Sequence, residues 1–294
     1  MYWRAVSDHP ELVAAVTAFA ERMDLTPYPG LEHQAFLRFG AGRGSAVLVH
    51  GFPGTPREMR TLARLFHQLG WTVSGPLLPG FGPELTRLGE HRHREWLLEV
   101  ERSRRSLPDP TGPVVLVGYS VGGALALLEA VRQPPAGLVL LAPFHRFLDG
   151  WAQPLVPALP FLLPDHRPFA KMDLSSPAAR QRIAAAFPDL DPDDPEGERF
   201  LRALTIPARA LVELEAIGRS AFKAARKVQV PVLCLQGRED EVTPPARTQA
   251  LLDRIAGPVE LVEVAGGHEL LDPDQPAWEV VLEAVERFAR RLGV

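Results

Sequence analysis

Residues 113–132, PVVLVGYSVGGALALLEAVR, decide the fold. The first six residues include a valine-rich apolar run, the composition of a strand buried on both faces. The last ten are rich in alanine and leucine and read as a helix packed on a sheet. Between them, Gly118-Tyr119-Ser120-Val121-Gly122 matches the pattern G-x-S-x-G and turns one element into the other. A turn that lifts a serine hydroxyl above a sheet strains the backbone, and it calls for glycine where helix and strand come close. The helix start after Ser120 also aims backbone N–H groups at developing negative charge. In a chain of this composition chance supplies about 0.06 such matches. The pattern at a strand-to-helix turn therefore nominates Ser120 as a nucleophile.

Outward from this turn the same rhythm repeats. Ser45 to His50 reads as a buried strand, Pro56 to Leu69 as a helix and Trp71 to Leu77 as a strand. A helix over Arg92 to Ser106 precedes the turn, and the strand Gly137 to Ala142 follows it. The rhythm then breaks. Phe144 to Lys227 carries scattered prolines, an acidic turn cluster over Asp189 to Glu198 and helical patches, but no strong strand. Strands resume at Val230 to Gln236 and Pro258 to Val264, and an amphipathic helix closes the chain over Pro276 to Leu292. The expectation is an α/β fold, a mostly parallel sheet flanked by helices, with its core in residues 1–143 and 228–294. Residues 144–227 are expected to form an inserted, mainly helical cap, since functional connections vary while the sheet stays fixed.

Bulk properties narrow the function. With 294 residues, 46% hydrophobic and 23% charged, the chain can bury a large core. A net charge of -4 gives no electrostatic footprint for nucleic acid. The one cysteine, Cys234, allows no intrachain disulfide and reads as core. No Cys-x-x-Cys or His–carboxylate pattern implies a metal, and no cofactor is expected. Met1 to Asp24 lacks the apolar run of a signal peptide, and the apolar stretch Trp151 to Pro164 is too broken by prolines to span a membrane. A cytoplasmic protein is expected.

Two further glycine-rich loops follow predicted strands: His50-Gly51-Phe52-Pro53-Gly54-Thr55-Pro56 and Ala265-Gly266-Gly267-His268-Glu269. With the serine motif they make the chain resemble the α/β-hydrolases, and within them the carboxylesterase and monoacylglycerol lipase branch. The resemblance runs from about His50 to the C-terminal helix and is weakest through the cap. It implies an oxyanion hole made by the backbone N–H groups of Phe52 and Val121. It implies an acid on the loop Gly237-Arg238-Glu239-Asp240-Glu241, in a G-x-x-D-x-x-x-P arrangement that selects Asp240 over Glu239 and Glu241. His268 is then the base, because Ser120, Asp240, His268 is the chain order of that family. His50, at a strand end before glycine, reads better as a brace for its loop than as a base.

The implied activity is hydrolysis of carboxylic esters of small molecules through an acyl-enzyme on Ser120. The alternatives are another serine hydrolase of the same fold (a thioesterase, amidase, C–C hydrolase or perhydrolase) or a non-catalytic scaffold. Tyr119, Trp151, Leu155 and Phe161 are expected to wall an acyl pocket. The apolar cap stretch could equally bury against the core or join two copies in a homodimer. His67, His91 and His93 read as solvated surface residues, and His145 and His166 stay unassigned.

Overall fold

A computed structural model describes residues 30–109, 111–146 and 165–292, apart from 168, 178, 181, 182, 184–186, 188 and 189. Its strands are β1 (Phe36–Arg38), β2 (Ser45–Val49), β3 (Thr72–Gly75), β4 (Val114–Tyr119), β5 (Gly137–Leu141), β6 (Asp165–His166), β7 (Ile206–Pro207), β8 (Val232–Gly237) and β9 (Val259–Val264). Seven of these make one sheet in the order β1-β3-β2-β4-β5-β8-β9. Only β1 runs antiparallel to its neighbour; every other pairing is parallel. The helices are α1 (Arg60–Gln68), α2 (His93–Arg105), α3 (Val121–Arg132), α4 (Pro195–Ala203), α5 (Ala208–Ala224), α6 (Pro245–Leu252) and α7 (Trp278–Arg291).

Alternation along the buried strands explains why both faces are covered. Side chains of a strand point alternately to its two faces. Ala46, Leu48, Val115, Val117, Leu233 and Leu235 join one core with Leu62 and Phe66 of α1 and Val281, Val285 and Phe288 of α7. Their neighbours Val47, Val49, Leu116, Val232 and Cys234 join the opposite core with Trp96 and Val100 of α2 and Leu125 of α3. The sheet is thus the middle layer of three. The predicted strands and helices all form, with ends moved by a few residues. The three-residue β1, the 3-10 run Gly82–Glu90 and helix α6 were not anticipated.

Between β5 and β8 the only described strands are β6 and β7, an antiparallel pair of two residues each. Helix α5 lies against α3. Its Leu214, Ile217 and Ala221 belong to the same core as Leu125. Among the described residues no helix is long and apolar enough to cross a membrane.

The β4–α3 turn has the geometry its sequence demands. Ser120 has φ 52° and ψ -117°, in the region L-residues rarely occupy. A Cβ at Gly118 would lie 2.2 Å from the carbonyl oxygen of Gly122, and one at Gly122 would lie 2.2 Å from that of Val49. Both positions must therefore be glycine for α3 to start so close to β4 and β2. Gly123 is less constrained, since the nearest atom to its Cβ position is 3.2 Å away. Gly122→Ala is expected to cost about 1–3 kcal/mol by overpacking. Gly123→Ala should stay within about 1 kcal/mol of the parent, because gained helix propensity offsets its milder crowding. Urea denaturation of the two variants checks the ranking.

Candidate active site

Ser120, Phe52, Asp240 and His268 all sit just beyond the C-terminal ends of parallel strands, where an open α/β sheet presents its ligands. Each loop is fixed by identifiable bonds. The backbone of Ser120 is tied on both sides, its N–H donating to Leu141 O (2.9 Å) and its C=O accepting from Phe144 N (3.0 Å). Its side chain is almost fully buried. Val121 opens α3, where the first N–H groups have no partner inside the helix. Gly51, in the loop after β2, lies against this turn: a Cβ there would be 3.3 Å from Ser120 Cβ. Phe52 follows it, with its ring edge-on to Phe81 at 6.0 Å.

On the acid loop the three rivals separate by environment. Glu239 and Glu241 are exposed, whereas Asp240 is buried. Asp240 Oδ1 accepts from the N–H groups of Val242 (2.9 Å) and Thr243 (2.7 Å). Its Oδ2 accepts from the Thr243 hydroxyl (2.7 Å), the Gln236 amide (3.1 Å) and His268 Nδ1 (2.8 Å). Burial opposes ionisation of Asp240, but the hydrogen bond and charge of His268 and the bonds from Thr243 outweigh it and hold the carboxyl below its ordinary range. The Gln236 amide is itself oriented by Thr248, whose hydroxyl donates to Oε1 at 2.5 Å.

His268 is part-exposed, with Nδ1 turned to the acid. Its carbonyl accepts from the Tyr119 hydroxyl at 3.0 Å, and the two rings lie 5.2 Å apart. Tyr119 is accordingly buried between the serine turn and the histidine loop, with its hydroxyl occupied. Burial first, then the carboxylates of Glu58, Glu269 and Asp240, push its phenol well above the ordinary value, so it stays a donor. Trp151, Leu155 and Phe161 lie outside the described residues.

His50 is fully buried and is committed to the loop after it. The Leu78 N–H donates to its Nε2 at 3.1 Å, so the ring proton sits on Nδ1 and is donated to Gly51 O at 2.9 Å. Burial lowers its pKa to about 4, with the Gly51 bond opposing.

The remaining histidines differ in part from a solvated reading. His67 is exposed. His93 is not left to solvent: its Nδ1 lies 2.5 Å from Oε2 of the buried Glu213 on α5, which also accepts from His93 N (3.1 Å). His91 pairs with Glu95 at 2.7 Å. His145 is buried and stacks on Phe222 at 4.9 Å. Sequence reasoning missed Gln236 and Thr243 as partners of Asp240, and Thr248 as the partner of Gln236. Only Thr243 had a local signal, the Asp-x-x-Thr spacing that lets an Asp side chain collect the N–H groups that follow it.

Comparison with known proteins points to one family. A family model described as serine aminopeptidase, S33, matches residues 40–274. A thermostable monoacylglycerol lipase of a Bacillus species is 26% identical over 256 residues, covering 86% of this chain and 93% of that protein. A monoacylglycerol lipase of Mycolicibacterium smegmatis is 27% identical over 256 residues, covering 83% and 86%. Among solved structures, a metagenome-derived lipolytic enzyme superposes with a TM-score of 0.70 at 24% identity, over 90% of this chain and 99% of that one. The monoacylglycerol lipase of Paleococcus ferrophilus superposes with 0.67 at 21% identity, over 88% and 98%.

The neutral His50 gives the fold an acid-sensitive point. Its folded pKa of about 4 lies below the unfolded value of 6.5, so the unfolded chain takes up the proton first as pH falls. The stability from this residue is complete above about pH 6.5 and is lost between there and about pH 4, by roughly 3 kcal/mol in all. Denaturant unfolding at pH 7 and pH 4.5 should show a smaller acid loss in His50→Asn than in the parent. An equal loss in both would assign the acid sensitivity elsewhere.

Proposed function

The chain belongs to the serine aminopeptidase (S33) family of α/β-hydrolases, and from that premise we propose that it hydrolyses carboxylic esters through an acyl-enzyme on Ser120. The observation that carries this reading is the 2.8 Å bond between buried Asp240 and His268 Nδ1, on neighbouring loops after β8 and β9, with Ser120 just beyond the end of β4 in the same sheet. The names of two curated relatives support the ester class: each is a monoacylglycerol lipase.

Asp240, held ionised by its donors, fixes the imidazole with its proton on Nδ1 and leaves Nε2 bare to act as base. His268 Nε2 takes the Ser120 proton as Oγ attacks the ester carbonyl carbon. The carbonyl electron pair moves to oxygen, where the N–H groups of Phe52 and Val121 stabilise the charge. On collapse the alcohol departs with the proton from His268. Water, deprotonated by the same imidazole, then cleaves the acyl-enzyme and frees the acid. Residues 144–227 form the cap in this reading, with α5 as its anchor on α3.

p-Nitrophenyl esters of graded chain length test the assignment. Ser120→Ala should lose about 10⁴-fold or more in kcat, and Asp240→Asn a comparable amount, since a wrongly protonated imidazole cannot serve as base. Glu239→Gln and Glu241→Gln, being exposed, should stay within about twofold of the parent. Retained activity in Ser120→Ala would sink the mechanism. Activity on thioesters or amides alone would keep the serine and move the substrate class.

A further inference from the structure

The proposed chemistry makes no use of Glu58, a half-buried carboxyl beside the oxyanion loop. Thr55-Pro56-Arg57-Glu58 has the spacing of a capping box, in which the glutamate would return to the N–H of its own cap residue. Thr55 does cap the 3-10 turn Pro56–Met59, accepting from Arg57 N at 3.3 Å. Glu58 is instead diverted to the loop, where its Oε2 accepts from Gly51 N at 3.0 Å. The other oxygen rests against Gly54: a Cβ there would lie 2.0 Å from Oε1. Burial pushes the Glu58 carboxyl up to about 7, against the opposing effects of the Gly51 N–H and the Arg57 charge. An oxygen able to accept from Gly51 is present in either protonation state.

Gly51 joins two peptide groups, and both are tied. The peptide on its N-terminal side donates its N–H to Glu58, and the peptide on its C-terminal side accepts at its C=O from His50 Nδ1. The second peptide is the one whose N–H belongs to Phe52. In a planar trans peptide the N–H points opposite to the C=O, so fixing Gly51 O also fixes the direction of the Phe52 N–H. Without a side chain, Gly51 would otherwise rotate freely about both its backbone bonds. His50 alone sets the second plane but not the first; Glu58 supplies the missing restraint.

We propose that Glu58 is a positioning residue for the oxyanion hole, holding Gly51 so that the Phe52 N–H faces the reacting carbonyl. The proposal rests on the ester-hydrolase reading above. Losing an oxyanion donor outright costs about 10²–10³ in turnover. Loosening one should cost less.

The test is hydrolysis of p-nitrophenyl butyrate, with rates expressed per serine titrated by a fluorophosphonate. Glu58→Ala is expected to lower kcat per titrated site by about 10- to 100-fold and to leave KM within about threefold. Glu58→Gln, whose amide oxygen can accept from the same N–H, should recover most of that loss. Gly54→Ala keeps the carboxyl but displaces it, and should fall between the two; it serves if Glu58→Ala does not fold. A kcat per titrated site equal to the parent in both Glu58→Ala and Gly54→Ala overturns the positioning role, whatever happens to Tm. Glu58→Gln as slow as Glu58→Ala overturns it too, since the acceptor would then not be what matters. Failure of the parent to label at Ser120 overturns the acyl-enzyme reading itself, whereas a labelled parent with indifferent Glu58 variants overturns only this inference.

Discussion

The site depends on the approach of the first turn of α3 to the end of β2, where Gly122 stands so close to the Val49 carbonyl that no side chain fits. Ser120, two residues before that contact, makes the sharp turn from strand to helix with φ 52°. A strained residue persists only where its surroundings over-determine it. Here they do: Leu141 O and Phe144 N hold the Ser120 peptide groups from the neighbouring strand end. Ala142, between those two, also has positive φ, at 44°. Two adjacent strand ends are therefore bent together, and each holds the other.

From Ala142 the restraints continue into the acid loop. Its N–H donates to Leu235 O, and its C=O lies 3.3 Å from the Thr243 hydroxyl. Thr243 holds Asp240, Asp240 holds His268, and the His268 carbonyl holds the Tyr119 hydroxyl, one residue before Ser120. The bonds form a closed circuit through four loops. Serine, acid and histidine need not be rigid individually, because each loop is fixed through its neighbours. Removal of Thr243 would open the circuit at two places, at Ala142 and at Asp240.

Much of this was legible in the sequence, for a physical reason. Central parallel strands are covered on both faces, so Ser45–Val49, Val114–Tyr119, Gly137–Leu141 and Val232–Gly237 are continuous apolar runs that stand out locally. The glycines of the serine turn are a local demand as well. What could not be read is long-range or carries a misleading local signal. β1 is three residues long and owes its existence to pairing with β3. Thr243 meets Ala142 across 101 positions of sequence. Tyr119 gives no local sign of its partner: strand alternation puts it on the face of Val115 and Val117, where its ring meets that of His268, 149 positions away. Glu58 sits in a sequence that spells a helix cap, and only the folded loop shows that it binds Gly51 instead.

Two carboxyls of the site are driven in opposite directions by their surroundings. Both pay for burial, yet Asp240 is surrounded by five donors, one of them an imidazole, and its carboxyl is held low. Among the described residues Glu58 accepts from one backbone N–H, that of Gly51, and is pushed up to about 7. The difference suits their positions. A charge on Asp240 favours the imidazolium that forms when His268 accepts a proton. In the proposed mechanism, a full negative charge on Glu58 would lie beside the loop assigned to the oxyanion and would oppose the charge developing there. One environment keeps an anion beside the proposed base, and the other limits negative charge beside the proposed oxyanion loop.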